Sequence, residues 1–235
     1  MNKFWEESLP AGYYDKILTD GLKSKKGIQA NWHHSSFTSV RSHIKKGQKH
    51  LDYACGPGTF IGNYNLDNSY GVDIATHQIE YANNKYKAKG KFNIINKEQL
   101  KNENYDVITV IGLLEFIDNE EIVSTLDMLY SLINEKGKLI LTTPNYTISM
   151  RILEKLLNIL GPVNYKNQHI NRLNKKSLNK LIHKTKFKNV EIQKIVNLSV
   201  FFGCISFKVS TFIDSIFIKL FPNKFGFILL ASLKK

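Results

Sequence analysis

This sequence predicts an α/β fold built on a mostly parallel sheet, and three observations point there. Between residues 50 and 144, short apolar strands alternate with helix-length segments. Such alternation lays consecutive strands side by side and covers the sheet with crossover helices. The run Tyr105-Asp106-Val107-Ile108-Thr109-Val110-Ile111 is dominated by β-branched residues, as suits a central strand buried on both faces. The first strand also leads into a loop with Gly56 and Gly58, and Asp73 follows 15 residues after Gly58, behind a second apolar run. That is the plan of a ligand pocket at the carboxyl edge of a parallel sheet.

The elements follow in order. Residues 1–45 precede the first strand and are expected to form an N-terminal helical cap. Two aromatic-polar clusters, Gly12-Tyr13-Tyr14-Asp15 and Asn31-Trp32-His33-His34, flank a Lys/Gly-rich turn region from Gly21 to Gly27. Residues 35–44 read as a helix, with Phe37, Val40 and Ile44 at helical spacing. Strands are expected at 51–54, 69–72, 92–95, 105–111 and 137–143, the last closed by Pro144. Between them lie helical segments at 59–64, 78–87 and 120–133, the last with a stripe of Ile122, Leu126, Leu129, Tyr130 and Ile133. After Pro144 the pattern changes. A helix over 148–160 has Ile152, Leu153, Leu156, Leu157 and Leu160 on one face and stops at Gly161-Pro162. A helix at 175–184, a strand at 190–196, a helix at 209–221 and a strand at 226–233 complete the chain. The 209–221 helix carries Val209, Phe212, Ile213, Ile216, Phe217, Leu220 and Phe221 as an apolar stripe. No repeat and no linker of distinct composition divides the chain.

Composition narrows the function classes. A chain of 235 residues suits one α/β domain with a modest cap and buries a full core without disulfides or metals. Cys55 and Cys204 form no CxxC pair, which fits a reducing compartment. Met1 to Glu7 lack the apolar core of a signal peptide. The uncharged stretch Ile195 to Phe207 has 13 residues, short of the roughly 18–20 that span a bilayer. A cytoplasmic location is therefore expected. The net charge of +13 raises the question of nucleic acid. Arginine is the usual bidentate reader of phosphates and bases, and the only arginines are Arg41, Arg151 and Arg172. The lysines are spread along the chain and read as a solvated coat, so nucleic acid is not the expected partner. No metal-ligand spacing is present, and no metal is expected.

The loop after the first strand carries the chemistry. Its glycines let the backbone approach a ligand, and an acid at the next strand tip can accept hydrogen bonds from two ribose hydroxyls. A dinucleotide fingerprint needs glycine at position 61. Ile61 stands there and Gly62 comes one residue late, so a pyrophosphate grip is poorly supported. The series Asp52-Tyr53-Ala54-Cys55-Gly56-Pro57-Gly58 instead resembles the acid-x-Gly-x-Gly-x-Gly signature of class I S-adenosylmethionine-dependent methyltransferases, with Ala54 in place of the first glycine. Tyr105 to Ile108 followed by Leu113-Leu114-Glu115-Phe116-Ile117-Asp118 resembles the fourth-strand segment of type-11-like members, with Phe116 where histidine usually stands. Lys138 to Asn145 resembles their fifth strand and its Thr-Pro-Asn exit, and Leu229 to Lys234 looks like their antiparallel edge.

The resemblance covers roughly residues 48–235. It implies a Rossmann-like seven-stranded, mostly parallel sheet with helices on both faces and an antiparallel last strand. The domain would span 46–235, with 146–172 and 198–222 as substrate-covering or surface helices. It implies S-adenosylmethionine as cofactor. Backbone around Ala54, Cys55, Gly56 and Gly58 would bind the methionine portion, and Asp52 would hold the amino group directly or through water. Asp73 would take the ribose hydroxyls, Asn96 the adenine amino group through its amide oxygen, and Lys97 the ring through its backbone N–H. Ile111 and Gly112 would floor the site beside the sulfonium.

The expected reaction is methyl transfer to a small-molecule or lipid- or sugar-linked acceptor, at oxygen as the first choice. The alternatives are an NAD(P)-dependent oxidoreductase, a catalytically inactive S-adenosylmethionine-binding protein and an RNA methyltransferase. A base is needed only where the attacking atom has a proton to lose. Candidates are Glu115, which also reads as a helix-start acid, and His33, His34 and His169. Tyr13, Tyr14 and Asp15 line an acceptor pocket or pack the cap. The apolar helices at 148–160 and 209–221 either pack on the sheet or meet a greasy acceptor or the inner face of a membrane, with nearby lysines toward anionic lipid.

Overall fold

Seven strands form one sheet in the computed structural model, which describes residues 9–100, 103–160 and 169–235. They are β1 (His50–Tyr53), β2 (Ser69–Asp73), β3 (Lys91–Ile94), β4 (Tyr105–Ile111), β5 (Ile133–Pro144), β6 (Asn189–Ile195) and β7 (Ile228–Lys234). Their order is β3-β2-β1-β4-β5-β7-β6. The first five pair in parallel, and β7 runs antiparallel to both β5 and β6. The expected architecture is therefore the observed one.

Side chains alternate across each strand, so the sheet builds a core on each face. Leu51, Ile108, Val110, Leu139, Leu141 and Leu229 meet helices α6 (Asn119–Ser131) and α8 (Lys175–Ile182). Val107, Ile140 and Leu230 face the other way, against α2 (Ile28–Arg41), α3 (Thr59–Asn63) and α4 (Thr76–Tyr86). The remaining helices are α1 (Tyr13–Ser24), α5 (Lys97–Leu100), α7 (Ile148–Leu160) and α9 (Phe207–Leu220), with short 3₁₀ turns at Leu114–Phe116 and Leu198–Cys204. Asp118 caps α6 by accepting the N–H groups of Glu120 and Glu121, and Asn174 with Ser177 forms a capping box on α8.

Four expectations need correction. The helix expected over 35–44 begins at Ile28 instead. Gly21, read as part of a turn, lies inside α1. A Cβ on it would stand 2.1 Å from the Cβ of Ala30, so this glycine serves the close crossing of α1 and α2. The fifth strand begins at Ile133, so the preceding helix ends at Ser131. In α9 only Phe207 and Ser210 are buried, and most of the stripe faces outward. The side chains of Leu156, Leu157 and Leu160 and the Gly161-Pro162 stop lie outside the described residues.

A buried carboxylate helps to hold α1 on the rest of the fold. Asp15 of α1 is fully buried and accepts hydrogen bonds from Tyr86 Oη (2.6 Å), Tyr81 Oη (2.8 Å), Asn63 Nδ2 (3.3 Å) and the Lys85 ammonium. Asp15 thus packs α1 onto α3 and α4 and does not line an acceptor pocket.

Candidate functional site

The C-terminal ends of β1, β2, β3 and β4 share one edge of the sheet, and the expected ligand residues stand there. In the loop after β1, three of five residues adopt left-handed backbone: Ala54 (φ +62°), Gly56 (φ +51°) and Gly58 (φ +71°). The two glycines serve different ends. A Cβ on Gly58 would stand 2.6 Å from the Phe92 ring and 3.0 Å from the Cβ of Ala82, so Gly58 lets the loop pack down on β3 and α4. A Cβ on Gly56 would meet nothing within 4 Å, so Gly56 faces open space that a ligand can approach.

Asp73, at the tip of β2, fixes this loop. Its Oδ2 accepts the Gly56 N–H at 2.8 Å and its Oδ1 accepts the Ala75 N–H at 2.9 Å. Burial raises its pKa, and these amide hydrogen bonds oppose that rise. Each carboxylate oxygen has a second lone pair, so the group still has capacity for hydroxyl donors.

Asp52 ends a buried polar chain. His50 and Asp52 point to the same face of β1, beside Thr109 of β4. The Thr109 hydroxyl donates to Asp52 Oδ1 at 2.6 Å, and His50 places Nε2 2.9 Å from Thr109 Oγ1 and Nδ1 2.9 Å from Ser69 Oγ. Burial pushes the His50 pKa down to about 3, so its ring is neutral. The connected chain then runs from the Ser69 hydroxyl to Nδ1, from Nε2–H to Thr109 and from Thr109 to Asp52. Desolvation pushes the Asp52 carboxyl up to about 7. The Cys55 thiol is buried and its pKa is raised by that burial, which marks it as packing, with its sulfur against Gly71.

At the end of β3 the amide oxygen of Asn96 accepts the N–H groups of Glu98 (3.1 Å) and Gln99 (3.2 Å), capping α5. That oxygen was the expected partner of an adenine amino group, and the cap takes it. Lys97 opens α5 and is exposed. Ile111 ends β4 and Gly112 follows it, both half-buried, with Gly112 at φ +67° and its N–H on Thr142 O.

Beyond Gly112 the structure brings two of the four candidate bases together. Glu115 is buried in the turn after β4 and accepts the Thr143 hydroxyl on Oε2 at 3.2 Å. Its Oε1 lies 3.5 Å from where a Cβ on Gly112 would be. Desolvation pushes this carboxyl up to about 7. The Glu115 carbonyl accepts the N–H groups of Ile170 (2.8 Å) and Asn171 (3.1 Å), which sets His169 against the Phe116 ring at 5.1 Å. His169 Nδ1 lies 2.8 Å from Glu154 Oε1 and 2.7 Å from the Tyr146 hydroxyl. Burial lowers the His169 pKa, and the Glu154 carboxylate counteracts this.

The other two histidines are engaged in packing α2. His33 lies between the rings of Tyr14 (5.5 Å) and Phe37 (6.0 Å), and burial pushes its pKa down to about 4. His34 places Nδ1 2.9 Å from the Tyr64 hydroxyl and stacks on Phe207 at 5.4 Å.

Several residues escaped sequence reasoning. Thr59 Oγ1 and Asn145 Oδ1 are buried with no hydrogen-bond partner among the described residues. Thr59 directly follows Gly58, and a hydroxyl orphaned beside an open loop is suited to a polar ligand tail. Its position after Gly-Pro-Gly was the only available signal. Glu154 and Tyr146 had none, because only the fold brings them to His169. Among the described residues no group of three or more His, Cys, Asp and Glu is placed to hold a metal ion.

Residues 32–192 match a family model described as a methyltransferase domain. No curated protein matches the sequence. Solved structures match nearly end to end. An S-adenosylmethionine-dependent methyltransferase from Thermotoga maritima, described as a possible histamine N-methyltransferase, aligns with a TM-score of 0.63 at 14% identity, covering 94% of this chain and 97% of its own. One from Archaeoglobus fulgidus gives 0.58 at 19% identity, with 87% and 94% covered. The magnesium protoporphyrin IX methyltransferase of Synechocystis PCC 6803, with bound S-adenosylhomocysteine, gives 0.58 at 16% identity, with 95% and 97% covered. At these identities the likeness is one of fold.

Proposed function

Since the chain belongs to the methyltransferase domain family and is an S-adenosylmethionine-dependent methyltransferase, we propose that it methylates an oxygen of a small-molecule or lipid- or sugar-linked acceptor in the cytoplasm, with Glu115 as base. The residues present fit the donor. The open space before Gly56, the orphaned Thr59 hydroxyl and the buried Asp52 carboxyl suit an amino-acid tail. The spare lone pairs of Asp73 suit a ribose diol. With its oxygen committed to the α5 cap, Asn96 offers adenine its amide N–H, a donor for a ring nitrogen rather than an acceptor for the amino group. When bound, S-adenosylmethionine supplies a methyl group already activated by the adjacent sulfonium.

The chain's own task is alignment and one proton. Holding acceptor and donor in line accounts for as much as roughly 7–11 kcal/mol of barrier in well-oriented systems. The observation that carries the oxygen reading is Glu115: a buried carboxyl beside Gly112 with its pKa pushed up to about 7. A base poised near neutrality is useful where the attacking atom must lose a proton, as a hydroxyl does. Glu154 and Tyr146 hold His169 as the neighbouring wall, and His169 is the second candidate for the proton. No observation favours the nicotinamide alternative, and Ile61 is fully buried where the third glycine would be needed.

The test combines product identity with a pH profile. Incubating labelled donor with small-molecule and lipid extracts, followed by mass spectrometry, should show an added methyl on a hydroxyl-bearing acceptor. A product methylated at carbon would refute the oxygen reading. Glu115 must be ionised to accept a proton, so kcat at saturating donor should rise about tenfold per pH unit below about 7 and level off above it. Glu115→Gln should flatten that profile and lower kcat by roughly 10²–10⁴-fold. An unchanged profile would transfer the role to His169.

A further inference from the structure

The stretch from Leu198 to Phe225 exposes an apolar surface away from the loop residues described above. In α9, Phe207 and Ser210 point inward. The opposite face reads Lys208, Phe212, Ile216 and Leu220 at i, i+4, i+8 and i+12, with Lys219 beside it. Phe212 is 67% exposed and Leu220 65%. Leu198, Phe202 and Ile205 before the helix and Phe221 and Phe225 after it are exposed as well. The rings of Phe217, Phe221 and Phe225 touch one another at 5.3–5.9 Å and join the end of the helix to the following turn. Large exposed apolar patches mark places where a protein meets another phase or partner.

The charge of this stretch suits an anionic partner. The cations of this stretch, Lys208, Lys219 and Lys224, are all exposed. Its one acid, Asp214, is turned inward, where Oδ1 accepts from Asn197 Nδ2 at 2.6 Å and from the Ser199 hydroxyl at 3.1 Å. We propose that this surface docks on an anionic phospholipid bilayer. The axis of α9 lies in the membrane plane, Phe212, Ile216 and Leu220 enter the headgroup–acyl boundary, and the lysine stems reach up to the phosphates. A second copy fits less well, because a two-fold contact through this face would gather two sets of lysines with no acid between them. The attachment is peripheral, since no helix of the described residues is long and apolar enough to cross a membrane.

The docked face adjoins the acceptor side of the site. Asn31 Nδ2 donates to Val200 O at 3.0 Å and to Ser210 Oγ at 2.7 Å, which holds the 198–204 turn and α9 on α2. Phe227, just past the patch, accepts the N–H of Asn145 at 2.7 Å, where β5 leaves Thr143 and Glu115. A lipid-linked acceptor would then be reached from the bilayer. That step rests on the acceptor reading above, whereas the docking does not.

Vesicle flotation of the full chain tests it, using phosphatidylcholine with and without phosphatidylglycerol at low and high salt. The chain should float with the anionic vesicles at low salt and at least about tenfold less with neutral ones or at high salt. Lys208→Gln should cost about five-fold in partitioning, as should Lys219→Gln. Phe212→Ser with Ile216→Ser should abolish flotation while S-adenosylhomocysteine affinity stays at the wild-type level, which separates docking from folding and from methyl transfer. The proposal is overturned if wild type does not float with anionic vesicles or if the double serine variant floats equally well. It is also overturned if light scattering shows a dimer that the double variant converts to monomer.

Discussion

Ala54 occupies left-handed backbone at φ +62°, in a loop where the resembled signature has glycine. An L-residue with a Cβ is disfavoured there by about 1–2 kcal/mol. Glycine would relieve that strain but gain about 0.5–1 kcal/mol of freedom in the unfolded chain. Ala54→Gly should therefore stabilise the protein by a net amount up to about 1 kcal/mol, read as an increased midpoint in urea with an unchanged slope. Asp52, Asp73 and Glu115 were legible because their spacing from glycines and strand ends is local. His50 and Thr109 were not: they meet Asp52 only because β1 and β4 pair with Asp52 opposite Thr109. His33 and His34 could not be placed from residue type alone; the fold sets both half-buried against aromatic rings.

At the scale of elements, α1 depends on Asp15. Removing that carboxylate takes the acceptor from the Tyr81 and Tyr86 hydroxyls, while Asn63 Nδ2 keeps Thr59 O and the Lys85 ammonium keeps the Tyr81 hydroxyl. Asp15→Ala should cost about 2–3 kcal/mol in urea unfolding. Hydrogen exchange should show α1 losing protection before the sheet does. Helices with strong caps and a core-facing stripe, such as α6, could be read within a residue or two. The start of α2 could not, since Asn31 to His34 have no apolar periodicity and are held by partners as remote as Val200 and Ser210. The stripe of α9 was legible as amphipathic. A stripe does not say whether protein or another phase lies across from it, and here the apolar side is largely uncovered.

For the whole molecule, a ligand that binds only the folded state raises stability by mass action. S-adenosylhomocysteine at a hundred times its Kd should add about 2.7 kcal/mol. For a chain of this size that corresponds to a rise in Tm of roughly 5–10 °C. NAD at the same concentration should leave Tm unchanged, and a comparable rise with NAD would contradict the loop reading. The parallel half of the sheet was legible from β–α alternation. The insertion of β7 between β5 and β6 was not, since strand patterns carry no partner label; the family resemblance implied an antiparallel last strand at the edge, and the structure puts β6 at the edge with β7 inside it.

That insertion governs how the protein is made. β6 is an edge strand whose single neighbour in the sheet is β7, and β5 also waits for β7 on its outer side. Until residues 228–234 have been synthesised, a nascent chain on the ribosome holds an open edge at Leu139–Leu141 and a β6 segment with nothing to pair with. The sheet closes only as that late strand slides into the gap. A stalled or shortened product would present an unpaired edge to chaperones and to its own copies.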